Sequence, residues 1–435
     1  MSVTIADNPN SLTVKGQQLI YVCSSTNTAQ TNFKYIVVVK DSSSTQIAKF
    51  YIPKNAENKL IFNLRDIVRE DIEADIVDSQ EDDKIIHEMP YSPSKFMTVA
   101  DKGCKKYTVE FGEVYGDPLA EQAATATHTI YLFDGWLQVR DGYKNNLSSY
   151  VPSTTTVTGF LTDRGTSGTT IAGVKGVVIK ASESDSGGTL AFLNDDTGLI
   201  SSGATQLEYS IYNASGLIAT ETITYSSTYG GELGSSTTAE DKLLYFGAYP
   251  ANVNNVNHAI TSSSRPLANT DWTYYTWRLK GGGAFKSKPF IFENTPLPCK
   301  HTGATLGWVN SVGAWDYMRF DGRTANTITS KSKDYVKSIG SYNGSTYTFD
   351  TFDRQQTPYH VEAKQMYTLK SAPLTVPESE LLRSLLKSKN VMLSFNDHEW
   401  LPVMVKTNSL KYETETISKA LLVTMNVELA QTEQC

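Results

Sequence analysis

The residues from Val361 to Leu429 constrain this chain most, because they spell a complete small folding unit with no catalytic chemistry in it. Val361 to Leu369 reads as a strand, and Thr375-Val376-Pro377-Glu378 as a helix start with Thr375 as N-cap and Glu378 at the capping-box position. Leu381, Leu382, Leu385 and Leu386 then recur at helical spacing, which predicts a helix over 376–388 packed by those four leucines. Asn390 to Phe395 follows as a strand, Asn396 to Glu399 as a turn, and Trp400 to Lys406 as the hairpin partner. The last strand alternates strictly. Leu421, Val423, Met425, Val427 and Leu429 point one way, and Thr424, Asn426 and Glu428 the other. Such a unit buries one helix against one side of a sheet and leaves sheet edges for neighbours. Leu381, Leu382, Leu385 and Leu386 are therefore the assembly candidates.

At 435 residues the chain exceeds one comfortable core, so two or three domains are expected. Its 24 tyrosines, with many Thr and Val, favour sheet over helix. The net charge of -7, with no Lys/Arg run, argues against a nucleic-acid surface and against sequence recognition of nucleic acid. No stretch is long and apolar enough to predict a membrane span. The start, Met1 to Asp7, has neither the basic nor the apolar region of a secretory signal, so synthesis in a cytoplasm is expected.

The expected fold is mainly β: a multi-domain, β-sandwich-type protein whose C-terminal sheet carries one short helix. Strands over 18–22, 32–39, 47–52, 107–113 and 128–133 predict a sandwich-like domain over 1–151. From Pro152 to about Thr270 the composition turns to Ser, Thr, Gly and Asn. Strand patterns at 177–180, 206–212 and 218–225 within it, the last two joined by a hairpin turn at Asn213-Ala214-Ser215-Gly216, predict an inserted β-domain over 152–270, with a flexible loop at 230–238. Aromatic density rises again from Asp271, and 271–435 reads as the C-terminal β domain.

No catalytic chemistry is predicted. Cys23, Cys104, Cys299 and Cys435 are scattered and read as free thiols, and the six histidines form no metal pattern. Gly281-Gly282-Gly283 lacks the Lys-Ser/Thr of a phosphate loop and reads as a hairpin or hinge loop. The acidic run from Glu70 to Asp83 lacks calcium-loop spacing. Asp134 beside Trp136, and Asp316 between Trp315 and Tyr317, are the one arrangement a glycosidase could use. No catalytic residue, metal or cofactor is expected, and the chain is not expected to be an enzyme. Trp136, Trp272, Trp277 and Trp315 would be sugar platforms if it bound glycans.

Three stretches resemble structural proteins of tailed phages of Bacteroidota, crAss-like phages included. They are Tyr35 to Ile67, the "GE-Y" stretch Gly112-Glu113-Val114-Tyr115 with its "FDGW"-like follower Phe133-Asp134-Gly135-Trp136, and Trp308 to Phe320. The last is similar to the family's "N-x-x-G-G-x-D-x-x-x-F", with Ala314 in place of the second Gly. The likeness spans the first 140 and last 165 residues and is lost over 152–270. It implies a virion protein forming a ring in the neck, tail or baseplate. Its partners would be copies of itself and portal, tail or fibre proteins. A receptor- or glycan-binding tail protein is the alternative.

Overall fold

A computed structural model describes residues 3–76, 85–88, 97–138, 144–152, 159–164, 170–171, 174–182, 188–193, 206–224, 243–255, 267, 271–281, 283–295, 303–395, 399–407, 422–431 and 433–434. The fold is mainly β, with several sheets and three short α-helices among these residues.

The N-terminal body is a two-sheet sandwich. Val3–Asp7, Ile20–Ser25 and Lys59–Asn63 form a three-stranded antiparallel sheet. It packs on a six-stranded sheet built around Lys34–Lys40, Cys104–Tyr115 and Ala126–Phe133, with Gln46–Pro53 at one edge. Period-2 alternation does the sorting. Tyr21, Cys23, Leu60 and Phe62 from one sheet meet Tyr35, Val37, Val109 and Phe111 from the other in one core.

The described residues of 152–270 do not form the separate inserted domain expected there. Val177–Ala181 and Gln206–Asn213 lie in one six-stranded sheet with Tyr274–Gly281 and Phe290–Asn294, across the expected boundary at 270. Thr189–Leu193 and Leu243–Gly247 join Met97–Val99 from the N-terminal part. The reason is burial: Val177, Ile179, Phe192, Leu207, Ile211 and Leu244 share a core with Val14, Phe133, Trp315 and Trp400. Ser and Thr dilute the composition, yet the inward positions stay apolar. The hairpin expected at Asn213–Gly216 is present, with Asn213 Oδ1 accepting the Ser215 N–H at 2.9 Å. Gly230 to Thr238 lies outside the described residues.

The C-terminal sheet has eight strands. Val391–Ser394, Leu401–Val405, Thr424–Leu429 and Gln356–Lys370 are neighbours in that order, as the alternation predicts. The helix spans Val376–Leu385, so the expected run to 388 overshoots by three residues. Four further strands complete the sheet: Ala304–Val309 pairs with Val391–Ser394, Trp315–Phe320 with Ala304–Val309, and Ala325–Val336 and Glu433–Gln434 with Gln356–Lys370. Leu421, Asn396, Asp397 and His398 lie outside the described residues.

Candidate functional site

The "FDGW" and "N-x-x-G" stretches, 173 residues apart at Gln138 and Ser311, close on one another in space. The strand Ala126–Phe133 ends at Asp134, whose carboxylate pairs with Lys15 at 2.7 Å. Trp136 donates its backbone N–H to the Ser311 carbonyl at 3.0 Å. Gly135 sits so tightly that a Cβ would lie 2.3 Å from the same carbonyl oxygen. The turn between Ala304–Val309 and Trp315–Phe320 is built by Asn310. Its Oδ1 accepts the N–H groups of Val312 and Ala314 at 3.1 and 3.0 Å, and Gly313 takes φ +90.

The acids here are occupied. Asp316 is buried and accepts from the Thr162 hydroxyl at 2.6 Å, the Asp163 N–H at 2.9 Å and Asn310 Nδ2 at 3.0 Å. Burial, with Asp163 nearby, nevertheless pushes its pKa up to about 6. Asp163 accepts the Ser311 N–H at 2.7 Å and its hydroxyl at 2.5 Å, and Arg164 donates to the Tyr317 carbonyl. Asp75 is similar: three N–H groups of Asp101, Lys102 and Gly103 point at it, and burial raises its pKa to about 6. These carboxylates staple loops together. A glycosidase would need an accessible pair flanking a cleft.

The sugar-platform candidates require correction. Trp272, Trp277 and Trp315 are buried core residues and cannot present a ring face to solvent. Trp277 donates to the Ala248 carbonyl at 3.2 Å and Trp315 to the Asp75 carbonyl at 2.9 Å. Trp136 is half-buried in the junction. A groove of about 370 Å³ lies elsewhere, lined by Asp41, Asp71, Asp101, Lys105 and Tyr107. Asp71 is already bonded to Tyr107 at 2.5 Å and to Lys105 at 3.1 Å. Among the described residues no group of His, Cys, Asp and Glu could hold a metal, and no helix is long and apolar enough to cross a membrane. Cys23 and Cys104 are buried cysteines; Cys299 and Cys435 lie outside the described residues.

Of the four helix leucines, Leu381, Leu382 and Leu385 are fully buried against Trp308, Leu369, Met425 and Val427, while Leu386 is half-buried at the C-cap. Trp308 Nε1 donates to Ser384 Oγ at 2.9 Å, pinning the helix to the sheet. Glu378 accepts the Thr375 N–H at 2.7 Å, and its other oxygen lies 3.5 Å from Lys180 of the central sheet. The leucines thus hold the unit together from within, and none forms an outward contact surface.

The outward surface is a hairpin that the sequence reading missed. Ala325–Val336 is exposed along its whole length and, among the described residues, pairs only with Gln356–Lys370. Beyond it, Ser341–Tyr342 and Tyr347–Thr348 form a tip closed by Asn343-Gly344, with Gly344 at φ +94. At about 3.3 Å per residue the arm strand is roughly 40 Å long. The tip exposes Tyr342, Tyr347, Phe349 and Phe352, the last at 78%. A two-stranded hairpin bare on both faces is marginal by itself, and large bare aromatics mark an interaction surface. The signal was present in sequence: the Thr/Ser/Lys alternation of 325–333 and the Asn-Gly turn.

A scan against known protein families finds no match to this chain, and no curated protein is significantly similar to it.

Proposed function

We propose that this chain is a structural protein of a tailed bacteriophage virion, a ring-forming component of the neck, tail or baseplate that is made in the host cytoplasm. The observation that carries the reading is the bare arm over 325–361, attached to a body whose carboxylates Asp316 and Asp163 are engaged internally. An arm of this kind supplies a heterologous contact, in which a projecting element of one copy meets a different surface on the next. Repeated through a fixed rotation, such contacts close into a ring. The resemblance of the Tyr35–Ile67, 112–136 and 308–320 stretches to phage structural proteins points the same way. Portal, tail or fibre proteins would then be the further partners, and catalysis has no part in the role. Burial of three of the four candidate platform tryptophans weighs against the glycan-binding alternative.

The test is the mass of the purified protein in solution across a wide concentration range. A closed multiple of 48.0 kDa is expected. A 48.0 kDa species at every concentration overturns the reading.

A further inference from the structure

Strand alternation divides the arm into two unlike faces. One carries Lys331, Lys333, His360, Glu362 and Lys364. The other carries Ile328, Ser330 and Ser332 opposite Gln365, Ala363 and Val361, and continues to Val336. Asp334 is its one charge. This face prolongs the core side of the C-terminal sheet, since Tyr367 and Leu369 on the same side of the strand pack into that core. Past the body it has no cover: Ile328 is 68% and Val336 70% exposed.

The same chain holds a second uncovered face. In the three-stranded N-terminal sheet, Tyr21, Cys23, Leu60 and Phe62 point into the sandwich, so Ile20, Val22 and Ile61 point out. Val22 and Ile61 are direct cross-strand partners, and Ile20 is 42% and Ile61 60% exposed. Lys59 is the only charged residue of Ile20–Ser25 and Lys59–Asn63; Asp7 at the rim is engaged by Lys144 at 2.5 Å.

We propose that the uncharged face of the arm docks onto the outer face of this N-terminal sheet in a second copy of the chain. The inference rests on the ring reading and names its contact. Three observations select the occupant. With Asp334 set over Lys59, strand spacing brings Val361 over Ile61 and Val22, and Ala363 over Ile20, so the lone charges are opposite and the aliphatic residues coincide. The hairpin 325–370 carries six Lys/Arg and four Asp/Glu, a net of +2, which leaves -9 on the rest of a chain of net -7. The arm is therefore drawn to the body of another copy. Finally, the six- and five-residue strands Ile20–Ser25 and Lys59–Asn63, about 20 Å long and 10 Å wide together, receive roughly 200 Å² of the arm, short of the roughly 800 Å² per partner of a stable complex. The four tip aromatics, at about 150–250 Å² each, make up the difference.

The test is a double variant, Ile61→Cys with Val361→Cys, treated with a short bis-maleimide crosslinker, since sheets packed face to face sit about 10 Å apart, beyond disulfide reach. Crosslinked multimers of 48.0 kDa are expected from the double variant, with each single variant and the unmodified protein remaining unlinked. Linking in the double variant no greater than in the singles, while the unmodified protein is multimeric, overturns the docking and leaves the ring. A monomeric unmodified protein overturns both.

Discussion

Asn310 donates its side-chain amide to the Asp316 carboxylate at 3.0 Å, and both side chains are buried. The same asparagine caps its own turn and reaches the Leu161 carbonyl at 3.2 Å. One side chain thus shapes a hairpin, satisfies a buried acid and fastens the segment around Leu161.

Asp316 should make stability pH-dependent in a defined direction. Its folded pKa of about 6 lies above the ordinary 3.8, so the folded state holds this proton more tightly than the unfolded chain. The contribution is full below about 3.8 and is lost as pH rises through about 6. Asp316→Asn removes it. Melting curves of both proteins at pH 7 and pH 4.5 should show the wild type gaining on the variant at the lower pH, by on the order of 1–3 kcal/mol. Parallel pH profiles would refute this role.

His87 acts in the opposite sense. It is fully buried against Trp315 and Trp400, its Nδ1 lies 2.8 Å from the Tyr317 hydroxyl, and burial lowers its pKa to about 3. The unfolded chain takes up this proton first, so stability is full above about 6.5 and falls as pH drops towards 3. His87→Gln should flatten the acid limb in that window by about one proton, or about 1.4 kcal/mol per pH unit. An unchanged limb in urea titrations at stepped pH would remove His87 from the account.

Gly135→Ala should destabilise the junction, because the added methyl meets the Ser311 carbonyl oxygen at 2.3 Å and that oxygen is backbone, which cannot swing aside as a side chain can. A loss of about 1–3 kcal/mol is expected from such overpacking. Equal denaturation midpoints for variant and wild type would mean that the two stretches are not held this close.

Leu385→Ala should cost about 2–5 kcal/mol, as for any leucine whose removal leaves a cavity in a packed core. Leu386→Ala, at a half-buried C-cap, should cost clearly less. Leu385→Asp should unfold the helix, read as lost circular dichroism. If the two alanine variants melt together, the helix does not face the sheet as described.

Period-2 alternation over Val423–Val427, the leucine spacing of 381–385 and the capping pair Thr375–Glu378 are local signals, and each survived into the structure. So did the mainly β class and the hairpin at 213–216. Each depends only on which side of a strand or helix a residue faces, which spacing along the chain determines. Tertiary structure alone decided the rest. Val177–Ala181 joins strands a hundred residues later, because burial rewards inward apolar positions whatever the average composition around them. The tryptophans were ambiguous in sequence, since a ring that packs a core and a ring that holds a sugar are the same residue until its neighbours are known. The arm was ambiguous for the converse reason. Its alternation marked 325–333 as a strand, but only the absence of a covering layer among the described residues made it a projecting surface.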